Sequence, residues 1–193
     1  MDNEDRRRFL LSLPAVAAAI AATRPAAAQG AAQGADPQNT IYLDTKDGRI
    51  TIRLRPDLAP KHVAQIKALV KRHFYDGIVF HRVIDGFMAQ TGDPTGTGGG
   101  NSDLPNIKAE FSNTPFKRGT VGMARSSEPD SANSQFFICF DDSSFLNGKY
   151  TVIGEVTSGM DVVDKIKKGS KADNGSVANP DKIVKMRLAS DAA

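Results

Sequence analysis

Short strand-like runs punctuated by turn residues fill the chain from residue 41 onward, and this pattern limits the fold more than any other feature. Ile41–Thr45 and Arg49–Leu54 flank Lys46-Asp47-Gly48, whose Asp-Gly pair signals a hairpin. The second run alternates Ile50, Ile52 and Leu54 with Thr51 and Arg53, so one face meets a core and the other meets water. Residues 79–84, 119–124, 134–140, 151–156 and 182–188 are further strand-like runs. Helical spacing occurs twice. Pro60 opens one segment, with Val63, Ile66, Leu69, Val70 and Phe74 on a common face and Asp76-Gly77 as its end. Val162, Val163 and Ile166 form a short second one closed by Gly169. Many short strands with two separated helices fit an antiparallel barrel or sandwich better than a parallel α/β sheet. Closing the sheet would remove its exposed edges.

The N-terminal stretch has a different character. Arg6-Arg7-Arg8-Phe9-Leu10 is basic and leads into an alanine-rich apolar stretch from Leu10 to Ala22, followed by small residues at Ala26-Ala27-Ala28. This layout reads as an export signal over residues 1–28. Its apolar part is roughly 13 residues, short of the roughly 20 that a spanning helix needs. The paired arginines before Phe9 and Leu10 resemble a bacterial twin-arginine signal, which is favoured over an ordinary secretory one. An uncleaved anchor is the third reading, disfavoured by Pro14 and Pro25. Residues 29–39 read as a flexible linker, 40–189 as the folded domain and 190–193 as a tail. The expected location is the periplasm, with no stable membrane insertion once the signal is cleaved.

Charge and cysteine content exclude several classes. The full chain is formally +3, and cutting after residue 28 removes four basic and three acidic residues, leaving +2. Such a balance calls for neither nucleic acid nor anionic membrane. Cys139 is the only cysteine, so no internal disulfide can form, and its apolar setting in 136–140 reads as a buried, inert thiol. The glycine-rich stretch at 96–100 lacks the lysine-bearing pattern of a phosphate loop and reads as a flexible surface loop that could border a cleft. His62, His73 and His81 are not paired at helical metal-site spacing, so no metal site is expected. No Gly-x-Ser-x-Gly elbow is present.

What remains is the run Phe80-His81-Arg82-Val83-Ile84-Asp85-Gly86-Phe87-Met88-Ala89-Gln90 and two later ones, Asn133–Ile138 and Phe145–Tyr150. A guanidinium beside an apolar pocket can hold an apolar ring and aim a cation at a polar atom next to it. Phe87, Met88, Phe137, Phe145 and Leu146 taken singly read as core; the three runs in this order say more. The chain resembles the cyclophilins, peptidyl-prolyl cis–trans isomerases, over roughly Thr40 to Leu188. The resemblance implies a mainly β fold, a closed eight-stranded antiparallel barrel with a helix capping each end. It implies Arg82 as the catalytic arginine and Phe87, Met88, Phe137 and Leu146 as the proline pocket. Gln90 and the backbone of Arg125 would bond the peptide main chain, Gln135 would support the arginine, and His81 would line the same cleft. Phe145 and Tyr150 stand where the best-known eukaryotic members carry tryptophan and histidine, as bacterial members do. The indole N–H is a donor that phenylalanine lacks, so weakened binding of cyclosporin-type inhibitors is expected. Arg125 replaces a more usual asparagine, and its side chain could bias the preference for residues next to proline.

The implied partners are proline-containing peptides and unfolded or folding proteins, with no cofactor, no metal and a monomeric enzyme. Two rivals from other classes reuse parts of the pattern. One is a prolyl-peptide binding module without catalysis, which leaves Arg82 without a task. The other is a lipocalin-type ligand barrel, which leaves Arg82 and Gln90 unexplained.

Overall fold

A computed structural model describes residues 36–192. The expected export signal and most of the expected linker lie outside the described residues. Eight strands form one antiparallel sheet: β1 (Thr40–Thr45), β2 (Gly48–Leu54), β3 (Arg82–Ile84), β4 (Met88–Thr91), β5 (Thr120–Met123), β6 (Phe136–Cys139), β7 (Val152–Ser158) and β8 (Lys185–Leu188). Their spatial order is β3-β4-β6-β5-β7-β2-β1-β8. Two helices accompany them, α1 (Pro60–Lys71) and α2 (Met160–Lys165). Among the described residues no helix is long and apolar enough to cross a membrane.

Period-2 alternation puts one face of every strand into a common core. Ile41, Leu43, Ile50, Ile52, Leu54, Val121, Ile138 and Leu188 are buried there, and α1 adds Val63, Ile66, Leu69 and Val70. Each large aliphatic so buried contributes about 1.5–3 kcal/mol. Pro60 stands at the first position of α1 as the sequence predicts. The helix stops at Lys71 rather than at Asp76, because His73 turns into the left-handed region at φ 56°. Phe74 therefore packs on the core from beyond the helix, edge-on to Tyr75 at 5.2 Å. Strand β4 has no alternation visible in sequence, since Met88, Ala89 and Thr91 are all buried. Its two faces look onto different clusters.

The expected closed barrel is corrected in one respect: no strand ladder joins β8 to β3. The gap is spanned by a single bridge, Val79 to Lys182, with hydrogen bonds from Phe80 N–H to the Asp181 carbonyl and Ile183 N–H to the Ile78 carbonyl, both 2.8 Å. The reason lies in residues 169–177. Val83 N–H donates to the Gly175 carbonyl and Gly169 N–H to the Val83 carbonyl, both at 2.8 Å, so a loop occupies the β3 edge that β8 would need.

Candidate active site

Cross-strand register assembles the site. Arg82 pairs with Gln90, Gln90 with Phe137, Phe137 with Gly122, and Gly122 with Val152. Residues directly opposite across antiparallel strands share a face, and this row lies on the outer face of the sheet. Ala89 and Ile138 turn inward to the main core, whereas Met88, Phe137, Cys139 and Val152 form a second apolar cluster outside with Phe116 and Leu146. Gly122 is needed in the row: a Cβ there would come within 2.6 Å of both Phe116 and Phe137, whose rings stack at 5.8 Å.

The cluster floors a cleft of about 350 Å³ lined by Arg82, Phe87, Met88, Gln90, Ala124, Arg125, Phe137, Phe145, Leu146 and Tyr150. Met88, Phe137 and Leu146 are buried. Phe145 is 60% exposed and meets the Phe87 ring at 5.2 Å. Tyr150 stands edge-on to Phe137 at 6.0 Å. Nine of the sequence-predicted site residues therefore converge here, and Ala124 joins them.

Arg82 is held by hydrogen bonds from within the chain. Its Nε and Nη2 donate to the main-chain carbonyl and the Oδ1 of Asn174 at 3.0 and 2.9 Å, and its Nη1 donates to Gln90 Oε1 at 3.2 Å. Gln90 Nε2 donates to Gln135 Oε1 at 2.9 Å, and Gln135 Nε2 to the carbonyls of Gly98 and Gly100 at 3.0 and 2.8 Å. A relay thus runs from the guanidinium to the glycine-rich loop. Burial pulls the Arg82 pKa below its ordinary value, with Tyr150 acting in the opposite sense. The guanidinium nevertheless stays charged at any working pH.

Gln135 stands behind the arginine through Gln90, as expected of a supporting residue, whereas His81 lies elsewhere than expected. Gln135 lines an adjoining polar cleft of about 320 Å³ with Asn101, Asn106, Ser126 and Ser131, which Gln90 and Arg125 share. His81 lines neither cleft; its ring is buried, beside Gly98. The chain alternates through 81–83, so with Arg82 outward His81 must turn the other way. Burial lowers its pKa, opposed by Asp93 and reinforced by Arg82. The glycine-rich loop is pinned by buried Asp93, which accepts from Thr95 N–H at 2.7 Å and Gly98 N–H at 2.6 Å.

The Arg125 side chain is folded back. Nε and Nη2 donate to the Lys149 carbonyl at 3.2 and 2.9 Å, Nη1 donates to the carbonyls of Ser126 and Ser127 at 2.9 and 3.1 Å, and the group lies 4.5 Å over the Tyr150 ring. Among the described residues its main-chain N–H and carbonyl make no hydrogen bond. Cys139 is fully buried, and desolvation pushes its thiol up to about 12. No group of three or more His, Cys, Asp or Glu is gathered among the described residues that could hold a metal ion.

A family of cyclophilin-type peptidyl-prolyl cis–trans isomerases matches residues 40–188. The chain belongs to the cyclophilin family. A probable peptidyl-prolyl cis–trans isomerase of Brucella suis is 58% identical over 196 residues, covering 95% of this chain and 98% of its own. A Helicobacter pylori isomerase is 44% identical over 131 residues, 66% of this chain and 80% of its own. Among solved structures, a Hirschia baltica cyclophilin superposes with a TM-score of 0.73 at 31% identity, covering 82% of this chain and 76% of the other. A Cryptosporidium parvum cyclophilin, solved in the presence of the dipeptide Ala-Pro, gives 0.70 at 27% identity, covering 77% and 98%. The activity of this cyclophilin is accordingly isomerisation of X-Pro peptide bonds.

Asn174 escaped the sequence reading, although it is the residue nearest in hydrogen-bonding terms to Arg82. The Asn174-Gly175 pair is a turn signal that permits left-handed backbone, and nothing in sequence ties it to a strand 92 residues away. Phe116, which supports Phe137 from below, was missed for the same reason.

Proposed function

We propose that Arg82 is the catalytic donor for X-Pro rotation and that Phe87, Met88, Phe137 and Leu146 seat the proline ring. The observation that carries this reading is a charged guanidinium, fixed by three hydrogen bonds, in the wall of an apolar cleft. The barrier to peptide rotation is about 18–20 kcal/mol and arises from amide resonance. At the twisted transition state the proline nitrogen becomes pyramidal and regains its lone pair, so a donor aimed at it finds a good acceptor only there. Such a contact is differential and accelerates the step. No proton is transferred. The open N–H and carbonyl of Arg125 and the spare amide hydrogen of Gln90 hold the peptide main chain, confining rotation to one bond. The substrates are proline-containing segments of unfolded or folding proteins, and the working unit is a monomer.

The reading extends to export. Arg6-Arg7-Arg8-Phe9-Leu10 and the following apolar stretch support delivery to the periplasm by the twin-arginine route. Replacing the arginines by lysine in the producing bacterium should leave the protein in the cytoplasm; continued export would refute that route.

Exchange NMR on a short X-Pro peptide with catalytic amounts of protein tests the activity. Cis–trans exchange should become fast enough to give exchange peaks. Saturable binding of the peptide without faster exchange would instead show a binding module.

A further inference from the structure

We infer that Asn174 is a positioning residue for the reaction: it holds the catalytic guanidinium by its inner fork and leaves the outer N–H groups to the substrate. This rests on the reading of Arg82 as catalytic donor. Nε and Nη2 are the two nitrogens of Arg82 bonded to Asn174, one to the main-chain carbonyl and one to the side-chain Oδ1. Together they form a bidentate grip of the kind guanidinium groups make with planar acceptors. Nη1 is bonded to Gln90. Three of the five N–H groups of a guanidinium are thereby used, one on each nitrogen. The two that remain, one on Nη1 and one on Nη2, are the ones available to a proline nitrogen.

The fold fixes Asn174 in place. Its backbone is left-handed at φ 52°, a conformation asparagine tolerates better than most residues. The next residue, Gly175, has φ 81° and lies so close to β3 that a Cβ would come within 2.4 Å of Ile84. Its carbonyl accepts from Val83 N–H, and Gly169 N–H donates to the Val83 carbonyl, both at 2.8 Å. The neighbour of Arg82 on β3 thus fastens the loop that grips Arg82. A catalytic side chain in the wrong rotamer loses the alignment on which the step depends, and misplacement by about 1 Å costs about 10²-fold.

Asn174→Gly separates positioning from structure. Glycine suits the left-handed backbone and keeps the carbonyl that accepts from Nε, but it has no Oδ1. We expect kcat to fall about tenfold, with KM and the unfolding temperature held, and rotation about the Arg82 Cζ–Nη2 bond to speed up by NMR. Asn174→Asp, which keeps an acceptor at that point, should recover most of kcat. Wild-type kcat in Asn174→Gly, or a loss that appears only together with a lower unfolding temperature, would overturn the proposal. Arg82→Ala in the same assay separates the two levels. Full activity there removes the role of Arg82 itself, whereas loss there with an intact Asn174→Gly removes only the role of Asn174.

Discussion

Asn174 and Gln90 take three of the five Arg82 N–H groups and leave two. With Arg82 as the proposed donor, fork geometry, not charge alone, is what the reaction requires. Arg82→Lys keeps the charge but cannot be gripped in this way, so its kcat/KM in a protease-coupled assay should fall close to that of Arg82→Ala. Arg125 makes the opposite case. Four of its five N–H groups are committed to carbonyls of Ser126, Ser127 and Lys149, so it braces the cleft wall and has only one left for a substrate side chain. Arg125→Ala should raise KM a few-fold without changing the preference for acidic or basic residues before proline. A changed charge preference across a peptide panel would contradict this. Phe145 is exposed and has no polar hydrogen. Phe145→Trp should tighten a cyclosporin-type inhibitor by roughly two- to twelvefold, the worth of one neutral hydrogen bond, as read by titration. At this scale the sequence was informative where residues share a short run, as from Arg82 to Gln90. It was silent where contact depends on distant loops, as for Asn174 and Phe116.

The N-terminus of α1 shows how an element is held. Its own N-cap, Ala59, supplies no side-chain acceptor, and Glu110 from a remote loop does so instead. Glu110 accepts from Lys61 N–H, His62 N–H and His62 Nδ1 at 3.1, 3.1 and 2.7 Å. A carboxylate there also suits the positive end of the helix. Glu110→Ala should destabilise the fold by about 1–3 kcal/mol in denaturant unfolding. Burial works against ionisation of Glu110, but these hydrogen bonds outweigh it and hold its pKa below the ordinary value. Its contribution is thus present above about pH 4.3 and lost as the pH falls through the lower folded value. Burial lowers the pKa of His62, opposed by Glu110, and also that of His81. As the pH drops below about 6.5 the unfolded chain takes up these protons first, and stability declines. Thermal midpoints should therefore fall steadily from about pH 7.5 to about pH 5; a flat profile would contradict the burial of both imidazoles. Strands with one wet face, such as β2, could be read from alternation. Strand β4 could not, because both of its faces are covered. The end of α1 was misplaced because a left-handed His73 carries no local signal.

On the scale of the whole domain, the sheet is a half-barrel continuous through seven ladders, and its end strands β3 and β8 are linked only through the Val79–Lys182 bridge and the loops beside it. That gap serves the site, since the loop filling it carries Asn174. Strand number and spacing pointed to a barrel or a sandwich, and the resemblance to cyclophilins to the barrel; the open junction depends on the loop at 169–177 occupying the β3 edge, which no local pattern records. The described residues 36–192 hold the whole cleft. A chain starting at residue 36 should match the full-length protein in kcat/KM; a large loss would assign the N-terminal stretch a part in the activity. If one oriented guanidinium lowers the rotational barrier, its removal must show in kcat/KM of Arg82→Ala on a cis-proline peptide, with folding checked by circular dichroism. A loss on the order of 100- to 1000-fold in a folded protein is predicted, and a folded variant with wild-type kcat/KM would contradict that role.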